Sequence, residues 1–254
     1  MVNVVFSNPH EYQEIKGMKI VDMHSHTNVS DGLNTAEELI EKAKKLNIGI
    51  SITDHNEIDS TIKACKTLDF AIPGMEATSS DAIDFLLYFY SYKDLEEFYH
   101  KYIKHKHKKA RGFDLRKLDM QTEELLEHAK EFNCVISLPH PFTLRPKNSF
   151  RYMKKNPKMI EYINCMEVIN SLMNREANEK AIAWAKELNL AATGGSDAHM
   201  AKFLGNTVTA TDAETVEDFL ENILKKKSIV VGNSLKTFTR IKASISMLRK
   251  SIRW

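Results

Sequence analysis

The 254-residue chain is poor in cysteine, proline and glycine, with 3, 6 and 9 of each, and no apolar run exceeds the six residues Phe85 to Tyr90. Cys65, Cys134 and Cys165 are odd in number and show no C-x-x-C spacing. That excludes a disulfide framework and a Cys-rich zinc site, and it fits reduced, partly buried thiols. The scarcity of Pro and Gly excludes collagen-like and low-complexity chains, and no Pro/Gly/Ser-rich linker divides the sequence. A six-residue apolar run is far short of the roughly 20 residues a spanning helix needs, so no transmembrane segment is expected. Met1 is followed by Val2, Asn3 and Val4 without a basic start, a long apolar region and a small-residue cleavage site. A cytoplasmic location is the expectation. Acid is missing from residues 222 to 254, which hold Lys225, Lys226, Lys227, Lys236, Arg240, Lys242, Arg249, Lys250 and Arg253. A second basic run, Lys101 to Lys117, has eight Lys or Arg against Asp114 alone.

What is present is an apolar fraction of 43% spread along the chain, enough for a sizeable core. Short β-type runs alternate with amphipathic helical stretches. Lys19 to Met23 reads as a strand, and Thr35 to Leu46 as a helix opened by a Thr35/Glu38 capping box. Ile48 to Thr53, Phe70 to Glu76, Ile83 to Tyr90, Cys134 to Leu138, Ile163 to Ile169 and Ala191 to Gly194 read as further strands. Helices are expected at Glu57 to Lys66, Asp94 to Lys109, Gln121 to Phe132, Arg175 to Leu188 and Ala213 to Lys226. This alternation predicts an α/β fold with a parallel sheet, a (β/α) barrel first and a doubly wound open sheet second. Residues 1–234 form the expected body. From Leu235 to Trp254, apolar residues at three- and four-residue steps predict a basic amphipathic helix that would pack on the body or on an acidic partner.

Polar clusters fall at one end of the predicted strands: His24-Ser25-His26, Thr53-Asp54-His55-Asn56, Gly74-Met75-Glu76, Leu138-Pro139-His140-Pro141 and Ser196-Asp197-Ala198-His199. In a barrel these ends share a face, where active sites are built. A strand period of two puts His24 and His26 on one side as a metal half-site. Imidazoles and carboxylates without thiolates suit Mn, Zn or Fe divalent ions.

Asp22-Met23-His24-Ser25-His26-Thr27 with Ser30-Asp31-Gly32, then Ile52-Thr53-Asp54-His55-Asn56, Gly74-Met75-Glu76, Pro139-His140-Pro141, Glu167-Val168-Ile169-Asn170 and Gly195-Ser196-Asp197-Ala198-His199 resemble the polymerase and histidinol phosphatase (PHP) superfamily over about residues 19 to 210. The resemblance implies a distorted (β/α)7 barrel and a metal-dependent phosphoesterase using two or three ions. It implies one ion on His24, His26, Glu76 and Asp197, a second sharing Glu76 and taking His140, and a third on Asp31, His55 and His199. The sequence departs from the family pattern at Asp84, which stands where a His is usual at the start of the fourth strand, and a carboxylate there would also be able to ligate. Glu167 and Asn170 match the family's strand-end pattern and would brace the barrel.

The implied reaction is attack of a metal-bridged hydroxide on a phosphate mono- or diester, with Glu76, Asp197 and His199 at the centre and Arg145 as a phosphate clamp. A nucleotide or short oligonucleotide is the expected substrate. The alternatives are a histidinol-phosphate or sugar-phosphate phosphatase and, outside enzymes, a metal-binding barrel acting as a partner-binding module. An amidohydrolase-type reading would need a mid-chain Lys ligand, and no strand-end Lys occurs between Ile83 and Ser137.

Overall fold

The computed structural model describes residues 2–107, 117–144 and 148–240. Ten strands and seven α-helices follow one another as β1 (Asn3–Val5), β2 (Lys19–Ser25), α1 (Ala36–Leu46), β3 (Gly49–Ile52), α2 (Asp59–Thr67), β4 (Gly74–Thr78), β5 (Asp84–Tyr88), α3 (Tyr92–Phe98), α4 (Thr122–Glu131), β6 (Val135–Leu138), α5 (Ser149–Lys155), β7 (Cys165–Asn170), α6 (Arg175–Glu187), β8 (Ala191–Gly195), β9 (Thr207–Thr211), α7 (Val216–Leu224) and β10 (Ile229–Gly232). None of the described helices is long and apolar enough to cross a membrane.

The strands form two five-stranded sheets, ordered β1-β10-β9-β2-β3 and β4-β5-β6-β7-β8. The expected α/β architecture holds at that level, while the ladders among the described residues do not close into a single barrel. The sheets instead meet at their margins. Ile72 N–H donates to Ile50 O and Asp197 N–H to His24 O, and the isolated parallel bridges Ile50/Ala71, His55/Glu76 and Ser25/Ala198 lie along the same seams.

The expected parallel sheet is corrected: β2 and β10 each run antiparallel to β9, and β5 runs antiparallel to both β4 and β6. For β4 and β5 the reason is local. Residues 79–83 separate them, far fewer than the dozen or so a parallel crossover needs. Ala82 N–H closes a turn onto Ser79 O, with Ala82 at φ 64°. The beginning of β5 therefore lies beside the end of β4.

Burial follows the apolar pattern. Met23, Leu86, Tyr88, Val135 and Cys165 are buried together, and the Tyr88 hydroxyl donates to Met23 O at 2.8 Å, tying β5 to β2. Helix α1 has both bonds of its capping box and closes at Asn47, which takes the left-handed conformation at φ 54°. The helix expected over Asp94 to Lys109 is shorter, passing at Tyr99 into a single π-turn that ends at Ile103. Of the basic amphipathic stretch expected from Leu235, residues 241–254 lie outside the described residues, as do 108–116 of the inner basic run.

Candidate metal centre

Eight of the nine sequence-predicted ligands converge at the strand ends. His24 lies on β2 and His26 just beyond it, Asp31 in the loop before α1, His55 after β3, Glu76 on β4, His140 after β6, and Asp197 and His199 after β8. All are buried except His140, which is half-buried. They form four overlapping donor groups: His24/His26/Asp197, His24/Glu76/His140, His26/Asp31/His199 and His26/His55/Glu76. Asp84 belongs to none of these groups. Arg145 lies outside the described residues.

Backbone geometry aims these side chains. The β2/β3 register shifts between Asp22 and Ser25, and the β7/β8 register between Glu167 and Ile169, so both ladders are interrupted where they carry site residues. His140 and Asp197 sit at φ 29° and 53°, in the left-handed region that non-glycine residues rarely occupy and that concentrates at functional sites. Gly195 must be glycine, because a Cβ there would lie 2.4 Å from the Cβ of His24. Its bare backbone lets β8 press against the His24 strand.

The first group fits a small cation. His24 Nε2 lies 3.0 Å from His26 Nε2, 3.4 Å from Glu76 Oε2 and 3.6 Å from Asp197 Oδ1; His26 Nε2 lies 3.2 and 3.4 Å from the same two oxygens. Donors at about 2.0–2.1 Å from a tetrahedral ion are separated by about 3.3 Å, within this range. The tautomers agree. His24 Nδ1 faces Glu167 Oε1 at 2.9 Å, and because a carboxylate only accepts, that nitrogen keeps its proton, so Nε2 is the nitrogen that would face a cation once its own proton has left. His26 Nδ1 has no hydrogen-bond partner and lies 3.7 Å from Asp31 Oδ1, and the ring packs against those of His55 and His199. Glu76 spans two groups, its Oε1 lying 3.2 Å from His140 Nε2 and its Oε2 3.4 Å from His55 Nε2. Asp31 Oδ2 lies 3.0 Å from His199 Nε2 and 4.0 Å from His55 Nε2.

Electrostatics sharpen the cluster. Burial alone would push the His26 imidazole down, but hydrogen bonding to Asp197 and Glu76 raises it to about 10. His24 is likewise pushed down by burial and carried well above its usual value by Asp197, Glu167 and Glu76. Burial would lift the carboxyls of Glu76, Asp31 and Asp197, yet the imidazoles around them hold all three well below the usual range. His55 goes the other way, its desolvation outweighing the nearby carboxylates.

A surrounding layer of carboxylates fixes these candidate donors. Glu167 Oε2 accepts from the backbone N–H of His140 and from Asn170 Nδ2, which also donates to Asp197 Oδ2. Asp54 accepts from the Thr27 N–H and hydroxyl and from the Ser30 hydroxyl, shaping the loop that carries Asp31. Asp22 accepts from Ser196, Gly205 and His24, and its full burial raises it to about 6. Thr78, between Asp84 and His55, is the partner the sequence reading missed. Its only signal is its place two residues beyond Glu76 on the same strand face. A cavity of about 590 Å³, which none of the donor residues lines, opens between Phe142, Leu144, Arg151, Leu172, Glu176 and Lys180.

The PHP-associated family model matches residues 175–228. An uncharacterized protein of Methanocaldococcus jannaschii is 28% identical over 237 residues, covering 85% of this chain and 87% of that protein. Among solved structures, a Bifidobacterium adolescentis protein assigned as a metal-dependent phosphoesterase superposes with a TM-score of 0.54 at 18% identity, covering 86% of this chain and 98% of that one. Endonuclease Q, solved with a 27-mer duplex bearing an abasic lesion at its active site, superposes with a TM-score of 0.64 at 17% identity, covering 85% of this chain and 60% of its own. The resemblance to the PHP superfamily read from the motifs therefore holds in the PHP-associated segment and in the fold.

Proposed function

We propose that this chain, which shares its fold with metal-dependent phosphoesterases of the PHP type, is itself a metal-dependent hydrolase of phosphate esters, with a nucleotide or short oligonucleotide as substrate. The observation that carries the reading is the His24/His26/Asp197 group, whose donor atoms lie 3.0–3.6 Å apart, with Glu76 Oε2 at 3.4 and 3.2 Å from the two imidazole nitrogens. On this reading His24, His26, Glu76 and Asp197 hold one ion, Glu76 and His140 contribute to a second, and Asp31, His55 and His199 hold a third. We also read the two sheets as halves of a distorted barrel, supported by the backbone bonds along both seams. Mn, Zn or Fe ions in such a donor set acidify water and neutralise charge on phosphoryl oxygens.

The chain's own residues supply the rest. Glu167 and Asn170 keep His24 and Asp197 aimed inward, which removes reorganisation cost when charge develops. The cavity walled by Phe142, Leu172 and Met173 also carries Arg151, and Lys180 paired with Glu176, an apolar wall with a guanidinium that suits a nucleoside carrying phosphate. That an endonuclease bound to DNA shares this fold favours a nucleic-acid phosphodiester over a sugar phosphate.

The test is elemental analysis of protein purified without chelator, with turnover measured in the same preparation on an aryl phosphodiester, a nucleoside monophosphate and a short oligonucleotide. Two or three transition-metal ions per chain with turnover of any substrate is the expected result. A metal-loaded chain inert toward all three would favour a partner-binding module.

A further inference from the structure

The antiparallel turn of β5 has a chemical effect at the centre. Because β5 reverses, its first residue pairs with the last residue of β4, and Asp84 faces Thr78 directly across the ladder. Directly opposed residues on adjacent strands project to the same side of a sheet, so their side chains meet. Thr78 lies two residues beyond Glu76 and shares its face, while Glu76 itself bridges to His55. Asp84, Thr78 and His55 thus fall in a row leading into the donor cluster.

The hydrogen bonds along this row have a direction. The Thr78 hydroxyl donates to Asp84 Oδ1 at 2.8 Å. A hydroxyl has one proton, so toward His55 Nδ1, 3.1 Å away, it offers a lone pair. His55 Nδ1 must then carry the ring proton, and a neutral imidazole protonated at Nδ1 has its lone pair on Nε2. That nitrogen faces Glu76 Oε2 and Asp31 Oδ2. Without the carboxylate at 84, the Thr78 proton is released to bond His55 Nδ1, which would move the ring proton to Nε2 and aim an N–H where a cation needs a lone pair.

We propose that Asp84 is a positioning residue, acting through the Thr78 hydroxyl to lock His55 in the Nδ1–H tautomer and thereby setting the affinity of the ion that Asp31, His55 and His199 would hold. The proposal rests on the metal-centre reading above and gives the departure at position 84 a role other than ligation. Its consequence is a centre in which a single half-buried carboxylate controls one ion without touching it.

The test compares Asp84→Ala, Asp84→Asn, Thr78→Val, Thr78→Ser and the Asp84→Ala/Thr78→Val double variant by zinc titration against a competing chelator, with the His55 tautomer read from long-range ¹⁵N couplings in metal-free protein. Asp84→Ala and Thr78→Val should each weaken one ion by about 10–100-fold, the usual effect of removing an outer partner. The double variant should be no weaker than either single one, because the two act as one chain. Asp84→Asn and Thr78→Ser, which keep the acceptor and the hydroxyl, should bind like wild type. Only Asp84→Ala should shift His55 toward Nε2–H. If Asp84→Asn loses an ion as fully as Asp84→Ala while Thr78→Val is harmless, Asp84 is a ligand and the proposal is overturned. Unchanged affinities and an unchanged His55 ring across the set would overturn it as well. Turnover is not measured, so failure of the phosphoesterase reading leaves these outcomes intact, whereas a wild-type chain that binds no divalent ion overturns the relay together with the centre.

Discussion

Glu76 lies within ion-pair distance of four imidazoles, those of His24, His26, His55 and His140. Its carboxylate cancels charge among buried groups and gives an oxygen to each of two neighbouring donor groups. Glu76→Gln keeps the shape, removes the charge and replaces one carboxylate oxygen with an amide NH₂, which has no lone pair for a cation. We expect this variant to lose metal by more than the roughly 100-fold upper range of an outer-partner change, with turnover falling in parallel. Elemental analysis and steady-state kinetics on one preparation check it; full metal content with wild-type turnover would remove Glu76 from the centre. At this scale the sequence was informative wherever ligands sit in short contiguous motifs, as His24/His26 and Asp197/His199 do. It was silent on Thr78, because a threonine in a strand carries no chemical signature until its cross-strand neighbour is known.

Helix α1 begins where the loop carrying Asp31 ends, and its start is held by both bonds of the capping box. The Glu38 N–H donates to Thr35 Oγ1, and the Thr35 N–H to Glu38 Oε2. Thr35→Ala removes the first of these and should cost about 1 kcal/mol, read as a lower urea midpoint. Because Asp54 shapes the Asp31 loop independently through Thr27 and Ser30, metal content should be unchanged; a chain that loses metal on Thr35→Ala would show the cap and the loop to be one unit. Elements of this kind are legible because their signals are local: a cap, a period, a left-handed stop at Asn47. Strand direction is not. Nothing in residues 84–88 marks β5 as antiparallel, since direction depends on which strand it meets and how short the link to that strand is. The same limit hid what Asp84 faces: the sequence places it at the start of a strand and gives it an expected ligand role, but its pairing with Thr78 follows only from the antiparallel register.

Across the molecule, the donors divide between the two sheets. His24, His26, Asp31 and His55 come from β2, β3 and the loops that follow them; Glu76, His140, Asp197 and His199 come from β4, the segment after β6 and the segment after β8. Metal uptake must displace protons, because His24 and His26 hold theirs well above the ordinary imidazole value of 6.5. The linkage has a definite sign in the metal-free chain. Stability from the raised imidazoles is complete below 6.5 and is lost as pH climbs toward about 10 at His26, while that from Asp31, Glu76 and Asp197, all depressed, is present above their usual values and is lost as pH falls. Titration calorimetry in buffers of different ionisation enthalpy should therefore show net proton release on zinc binding near neutral pH, with affinity rising with pH. Binding without proton release would mean that these imidazoles are already neutral.

The seams also bear on how long a molecule lasts. The sheets share a buried core, in which Met23 of β2 packs with Leu86, Tyr88, Val135 and Cys165 of the other sheet, and backbone bonds join their margins; an ion among donors from both sides would act as a further rivet between them. Such a rivet must be undone before the halves separate, so its main effect falls on the rate of opening. Chelated protein should be cut by a nonspecific protease many times faster than loaded protein, first near the Ile50/Ala71 and Ser25/Ala198 seams. In a cell the supply of metal would then govern the lifetime of the chain as well as its activity.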